Sequence, residues 1–216
     1  MVNQERLPIL TTFYADYLAS EDSAAFIRRV SQSYTNGTLQ RLATSSHIPS
    51  RRAAVLALSF LGEFEHHETL GRALNDTDRH VRQLAENGIR SVWRRVGSAQ
   101  HRQLLGRVIR LNNGRQWQQA IELAGRLIRH LPRFAEAWNQ RAVAYFHVGR
   151  YEDAAHDCHQ ALELNAYHFG AAIGMGQSYL ELNEPKVALE CFRRALRLHP
   201  DLEAVRAQIH YLEKSL

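Results

Sequence analysis

Shifted by 34 positions, the second half of this chain falls on itself. Ala120 lands on Ala154 and Ala188, Tyr145 on Tyr179, and Ala161-Leu162 on Ala195-Leu196, while Pro132 and Pro200 stand two periods apart. Self-similarity at a fixed period means that one supersecondary unit is used repeatedly, each copy covering the apolar face its neighbour cannot bury alone. The central copy, residues 135–168, reads as two short amphipathic helices folded back on each other. The prolines sit where a helix has to stop.

The first half repeats with a different period. A shift of 31 superimposes Arg51 on Arg82, Ala54 on Ala85, Ala57 on Gly88 and Leu58 on Ile89. The same shift brings Thr38 onto Thr69, Leu39 onto Leu70 and Arg41 onto Arg72. One step earlier, Ala54, Leu58 and Leu61 fall on Ser23, Ile27 and Val30.

Each period carries a family resemblance. The stretch Leu74 to Ala85, L-N-D-x-D-x-x-V-R-x-x-A, resembles a HEAT repeat of the short type. That resemblance implies a pairing of Arg82 with Asp76 or Asp78, and Asp78 is also placed to cap the following helix. Residues 1–18, with Phe13, Tyr14, Tyr17 and Leu18, are expected to form a helix closing the first repeat. The unit with Trp138, Ala142, Tyr145, Gly149, Tyr151, Ala154 and Ala161 resembles a tetratricopeptide repeat. Three departures stand out. Arg141 replaces a usual Leu, Ala166 replaces the terminal proline and predicts a softer helix end, and Gly114 lies one residue too early, which predicts an altered first turn.

The fold expected is all-α: a right-handed α-solenoid of antiparallel helix pairs, HEAT-like repeats continuing into tetratricopeptide repeats. The expected divisions are 1–98 for the HEAT-like part, 99–202 for three tetratricopeptide units, and 203–216 for a capping helix. Helix 99–112 is counted by both periods, and no Pro/Gly/Ser-rich linker separates the halves, so a continuous array is expected.

Composition narrows the chemistry. No apolar run is long enough for a transmembrane helix, so no membrane partner is expected. The N-terminus lacks the features of a signal peptide, which makes cytoplasm the expected compartment. Cys158 and Cys191 form no framework or CxxC pair and read as buried thiols. Lys occurs only at 186 and 214, so 25 of the 27 basic residues are Arg, from a GC-rich coding genome or from phosphate or carboxylate binding. Residues 79–133 hold twelve Arg against Glu86 and Glu122, whereas residues 134–191 hold three basic residues against eight acids. No GxSxG, P-loop, GxGxxG or HExxH occurs, so no enzyme activity, catalytic residue or cofactor is expected. Asp153, His156 and His159, and the pair His66-His67, lack metal-site spacing and read as surface residues.

Tetratricopeptide arrays place the first helix of each pair on the concave side. The resemblance therefore implies a groove lined by Glu136, Asn139, Gln140, Val143 and Phe146, then by Gly170, Ile173, Gln177 and Leu180. On helix 99–112, Gln100, Gln103, Arg107 and Arg110 form a polar stripe free to face the same groove. Asn139 and His168 read as exposed, Trp138 and Phe169 as packing residues. The expected binding set is Gln103, Arg107, Arg110, Glu136, Asn139, Gln140, Val143, Phe146, His168, Ile173 and Gln177. The expected partner of a monomeric scaffold is a protein or peptide segment, an acidic one suiting Arg107 and Arg110. Chaperone-tail binders of the family clamp a C-terminal carboxylate with Lys and Asn, and only Asn139 and nearby arginines compare, so that partner is not implied. Nucleic acid or another polyanion on the arginines of 79–133 is the second class, without an aromatic-interleaved motif to support it.

Overall fold

The computed structural model describes residues 8–216, and among them every regular element is helical. The chain divides into two compact units, 1–92 and 93–216.

The first unit contains α1 (Leu10–Ser20), α2 (Ser23–Ser33), α3 (Asn36–Leu42), α4 (Ile48–Leu61) and α5 (His67–Ala73), and most of α6 (Arg79–Trp93). The starts of α3 and α5 (36 and 67) and of α4 and α6 (48 and 79) differ by 31, so the sequence period is a structural one over these helices. It does not continue backwards. Moving α4 back by 31 gives 17–30, but the chain breaks there: Glu21 turns left-handed (φ 55°) and Asp22 caps α2 through the Ala25 amide at 2.9 Å. Of the apolar residues assigned to the closing helix, Phe13 is buried and Leu18 exposed; residues 1–7 of that assignment lie outside the described residues.

Ion pairs tie the two periods together. Arg51 grips Asp76 with two prongs (Nε–Oδ2 and Nη2–Oδ1, both 2.9 Å), and Arg52 grips Asp78 likewise at 2.8 and 2.6 Å. Asp78 also caps α6 through the Val81 amide at 3.0 Å. Arg51 and Arg82 repeat one main-chain contact, each donating Nη1 to the carbonyls six and five residues before it: Ser45 and Ser46, then Asp76 and Thr77. The Arg52 guanidinium holds the Asp78 carboxyl well below the usual range. Burial pushes Asp76 up, but Arg51 outweighs it and leaves that carboxyl lowered too.

The second unit runs through α7 (Ala99–Asn113), α8 (Trp117–His130), α9 (Ala135–His147), α10 (Tyr151–Leu164), α11 (Phe169–Glu181), α12 (Pro185–Leu198) and α13 (Glu203–Ser215). Each packs on the next. Starts at 135, 169 and 203, and at 117, 151 and 185, are spaced by 34, so α13 stands where the first helix of a fourth unit would.

The turns inside the units share one conformation. Arg115, Gly149 and Asn183 all adopt positive φ (57°, 77° and 58°). The residue after each donates its amide to the carbonyl five back: Gln116 to Leu111, Arg150 to Tyr145 and Glu184 to Tyr179, at 2.8–2.9 Å. The altered first turn expected from Gly114 is therefore absent. Gly114 precedes the left-handed position, which Arg115 fills at a steric cost of about 1 kcal/mol. Nor does Ala166 soften a boundary. α8, α10 and α12 end at equivalent residues, Leu131, Asn165 and His199, with similar φ (−139°, −146°, −145°), the last two extended. At α10 the Asn165 side chain accepts the Tyr167 amide at 3.1 Å, a local turn standing in for proline.

Arg141, set where an apolar residue is usual, is matched by an acid on α10. Its Nε and Nη2 donate to Asp157 at 2.6 and 2.9 Å, and its guanidinium lies 5.0 Å from the Trp138 ring centroid. Both thiols are buried, and burial pushes both above the ordinary cysteine range.

Candidate binding groove

Within the second unit α7 packs against α9 and α9 against α11, so the first helices share one wall. In a curved stack the more closely spaced layer lies inside, which makes this the concave wall. Asn139, Val143 and Phe146 of α9 and Ile173, Gln177 and Leu180 of α11 all reach its surface at least in part. None is charged. Two amides sit among four apolar side chains, a lining suited to peptide backbone and apolar side chains.

Glu136 and His168 do not reach that surface. Both are buried, at 4% and 1% exposure, against the expectation of an exposed His168. His168 caps α11, its Nδ1 accepting the Ala171 amide at 3.0 Å. The ring proton therefore resides on Nε2 and is donated to Glu136 Oε2 at 2.9 Å. Gln140 Nε2 donates to Glu136 Oε1 at 2.8 Å, and Asn112 Nδ2 donates to Gln140 Oε1 at 2.9 Å. The result is a hydrogen-bonded file from α7 through α9 to α11, one polar link per repeat. Burial pushes the Glu136 carboxyl up; the His168 and Gln140 hydrogen bonds and the nearby Arg94 charge outweigh it, leaving it below the ordinary range. Trp93 lies flat on the His168 ring at 4.3 Å and tilts against Phe169 at 5.3 Å.

A signal for this burial is present in the sequence. The 34-residue shift places His168 on Phe134 and Leu202, which are buried and half-buried, so the position is an interior one. A polar residue there needs a partner inside, and Glu136 supplies it.

The α7 stripe lies elsewhere. Gln103, Arg107 and Arg110 are exposed around a shallow depression shared with Ala99, Arg102 and Gly106. Their counterparts one unit on are Ala137, Arg141 and Ala144; Ala137 packs on Leu127 and Ile128 of α8, and Ala144 on Ile121 and Ala124. The stripe thus occupies the face by which later first helices dock on the helix before them, not the concave wall that holds Asn139. Gln103, Arg107 and Arg110 form one group, and Asn139, Val143, Phe146, Ile173 and Gln177 another. Nothing aromatic lines the depression for a base to stack on.

A cavity of about 410 Å³ opens at the other end of the groove. Ile173, Leu180, Phe192, Leu202 and Val205 give it an apolar lining, with Gln177 and Gln208 at its sides. Gly176 allows this floor, since a Cβ there would lie 2.7 Å from the Phe192 ring. The charged lining residues are Asp201 and Glu203.

Comparison with known families agrees with the helical register. The tetratricopeptide repeat family matches residues 135–168 and, by a second family description, residues 170–202. Residues 135–168 and 170–202 are tetratricopeptide repeats. A tetratricopeptide repeat-containing protein of Rhizobium etli is 27% identical over 130 residues, 60% of this chain and 64% of that one. Human WD and tetratricopeptide repeats protein 1 is 35% identical over 79 residues, 35% of this chain and 12% of that protein. The chain thus spans less than two thirds of the length of these relatives. Among solved structures, the first tetratricopeptide domain of Spaghetti, bound to an HSP90 peptide, superposes with a TM-score of 0.53 at 21% identity, covering 56% of this chain and 95% of that one. The Arabidopsis OM64 tetratricopeptide domain gives 0.52 at 22% identity, covering 54% and 96%. At such identities the likeness shows the shared helical-repeat fold.

Among the described residues no helix is long and apolar enough to cross a membrane. No three His, Cys, Asp or Glu side chains among them are grouped to share a metal ion. His156 and His159 are exposed, while His66 is buried.

Proposed function

We propose that residues 93–216 are a non-enzymatic binding module that holds a peptide segment of a protein partner along the concave wall of α9 and α11. The observation that carries this reading is the wall itself: within tetratricopeptide repeats, Asn139 and Gln177 stand among Val143, Phe146, Ile173 and Leu180 with no charge between them. Such a surface offers amides to an extended backbone and apolar contact to its side chains. The Arg107 and Arg110 face is a separate surface, where acidic character in a partner would be met. For residues 36–93, the period of 31 and the repeated Arg51 and Arg82 contacts support a short HEAT-like repeat.

Capture from a lysate of the source cells, compared between variants, tests the assignment. Val143→Glu with Ile173→Glu is expected to lose the specific partner while keeping native helicity. Arg107→Glu with Arg110→Glu is expected to retain it. The opposite pattern would move the site to the α7 face.

A further inference from the structure

The face by which α9 docks on α8 has a counterpart on α7, 34 residues earlier, that is exposed and positively charged. On α9 this face holds Ala137 and Ala144, both packed on apolar residues of α8. On α7 the same positions hold Gln103 and Arg110, both exposed, with Arg107 exposed beside them. Gly106 lies in the same depression. Outside the local helix backbone, the nearest atom to a Cβ added at Gly106 is Arg110 Nη1, at 3.6 Å, so the surface over it is open. The sequence of α7 contains Arg102, Arg107 and Arg110 and no acid. Arg102 donates Nη1 to the Gly97 carbonyl at 2.8 Å. For Arg107 the repeat register shows what is missing. Its equivalent, Arg141, is gripped by Asp157 at 2.6 and 2.9 Å, whereas Leu123 stands on α8 where that acid would be.

We infer that this face of α7 is a second docking surface, and that it takes a helix of a protein partner bearing a stripe of carboxylates. It lies apart from the groove and stands or falls independently of that reading. The helical form of the occupant follows from the array, because the same face of α9 is met by a helix. Its acidity follows from charge complementarity. Arg107 and Arg110 are about 4.5 Å apart along the helix axis, and Asp or Glu three or four residues apart on a facing helix match them. Each guanidinium offers a carboxylate two parallel N–H donors, the geometry that Arg141 makes with Asp157. Gly106, without a side chain, lets the partner's helix come close between the charges. Contacts of this exposed kind set specificity and association rate, and they weaken as salt rises. Nucleic acid is the less favoured occupant, since no aromatic side chain lines the depression for a base to stack on.

The test uses the full chain, isotope-labelled for amide spectra, and two fluorescent Ala-rich helical peptides of about eighteen residues. Both have the same composition. One carries its Glu residues on a single face at spacings of three and four, and the other scatters them around the helix. The striped peptide is expected to shift the Gly106 backbone amide and the Gln103 side-chain amide. At low salt it is expected to bind about fivefold more tightly than the scattered one. Arg107→Gln with Arg110→Gln, exposed changes checked by circular dichroism, is expected to weaken the striped peptide about tenfold. Arg126→Gln with Arg129→Gln on α8 removes the same charge and is expected to change binding less than about twofold. The variant with Val143→Glu and Ile173→Glu is expected to bind the striped peptide as the unmodified protein does, so failure of the groove and failure of this face are read separately. Equal binding of the two peptides overturns the inference, because charge without a face would then suffice. So do absent binding, binding undiminished by the Arg107 and Arg110 changes, or shifts confined to α9 and α11. A single-stranded RNA of equal charge that displaces the striped peptide at equal concentration overturns it as well. Sedimentation velocity covers the last occupant: a dimer that Arg107→Gln with Arg110→Gln dissolves would give the face to a second copy of this chain and overturn its assignment to a partner.

Discussion

Replacing His168 with Phe separates what this residue does for packing from what it does for charge. Phe is the residue at the equivalent position 134, where it is fully buried, so volume and stacking against Trp93 are largely kept. Two things are lost: the cap on the Ala171 amide, about 1 kcal/mol, and the hydrogen bond to Glu136. The second loss is pH-dependent. A buried carboxylate without its partner takes up a proton when that costs less than staying charged, so its penalty is bounded by the work of protonation. With an unfolded-state pKa near 4.3, that bound is about 3.7 kcal/mol at pH 7 and about 1 kcal/mol at pH 5. In the variant the folded-state pKa of Glu136 lies above its unfolded value, the folded state holds the extra proton, and stability rises as pH falls from 7 to 5. In the unmodified protein the shift is downward, so the Glu136 contribution is complete above the ordinary carboxylate pKa. It is lost only as pH falls through the lower folded-state value. The destabilisation by His168→Phe is therefore expected to shrink by about 2 to 3 kcal/mol between pH 7 and pH 5. Adding Glu136→Gln is expected to flatten the dependence. All three tryptophans (93, 117 and 138) lie in the second unit, so urea unfolding followed by tryptophan fluorescence reads that unit selectively. Equal destabilisation at the two pH values would refute the ionised, His-supported Glu136.

Gly176→Ala drives a methyl into the Phe192 ring and is expected to cost about 1–3 kcal/mol in the same assay. In the first unit, Asp76→Ala removes the two-pronged Arg51 contact. It is expected to cost about 1.5–3 kcal/mol, measured by circular dichroism and amide exchange over α4 to α6. Cys158 and Cys191 are expected to resist a thiol reagent in the native protein and to react fully in urea, since both are buried and shifted away from the thiolate. Rapid native labelling of Cys158 would contradict its placement between α10 and α11.

The periods of 31 and 34 carried most of the architecture in the sequence, because repeat packing fixes which positions are small, aromatic or left-handed. Where expectation and structure part, the cause is a local rule taken without its repeat context. Glycine is the residue expected at a left-handed turn, yet Arg115 adopts it, held by its neighbours' hydrogen bonds. Polarity around α7 points its stripe at the groove, although the 34-residue shift sets its arginines against the buried Ala144 and half-buried Arg141. Polarity alone places His168 at the surface. Its burial depends on Trp93, a contact far outside any repeat window, and on Glu136 in the preceding first helix. That Asn139, Val143, Ile173 and Gln177 stand at partly or fully exposed first-helix positions is legible from the 34-residue period alone. The cavity beside them is not, because it needs α13 set against α11.

The position of α13 carries a consequence for redesign. Since α13 begins in step with α9 and α11, a duplicate of residues 169–202 inserted ahead of it would meet surfaces that are already complementary on both sides. The array can be lengthened like a zip, one tooth pair at a time, with α13 carried outward as the slider and the cavity beside it travelling along.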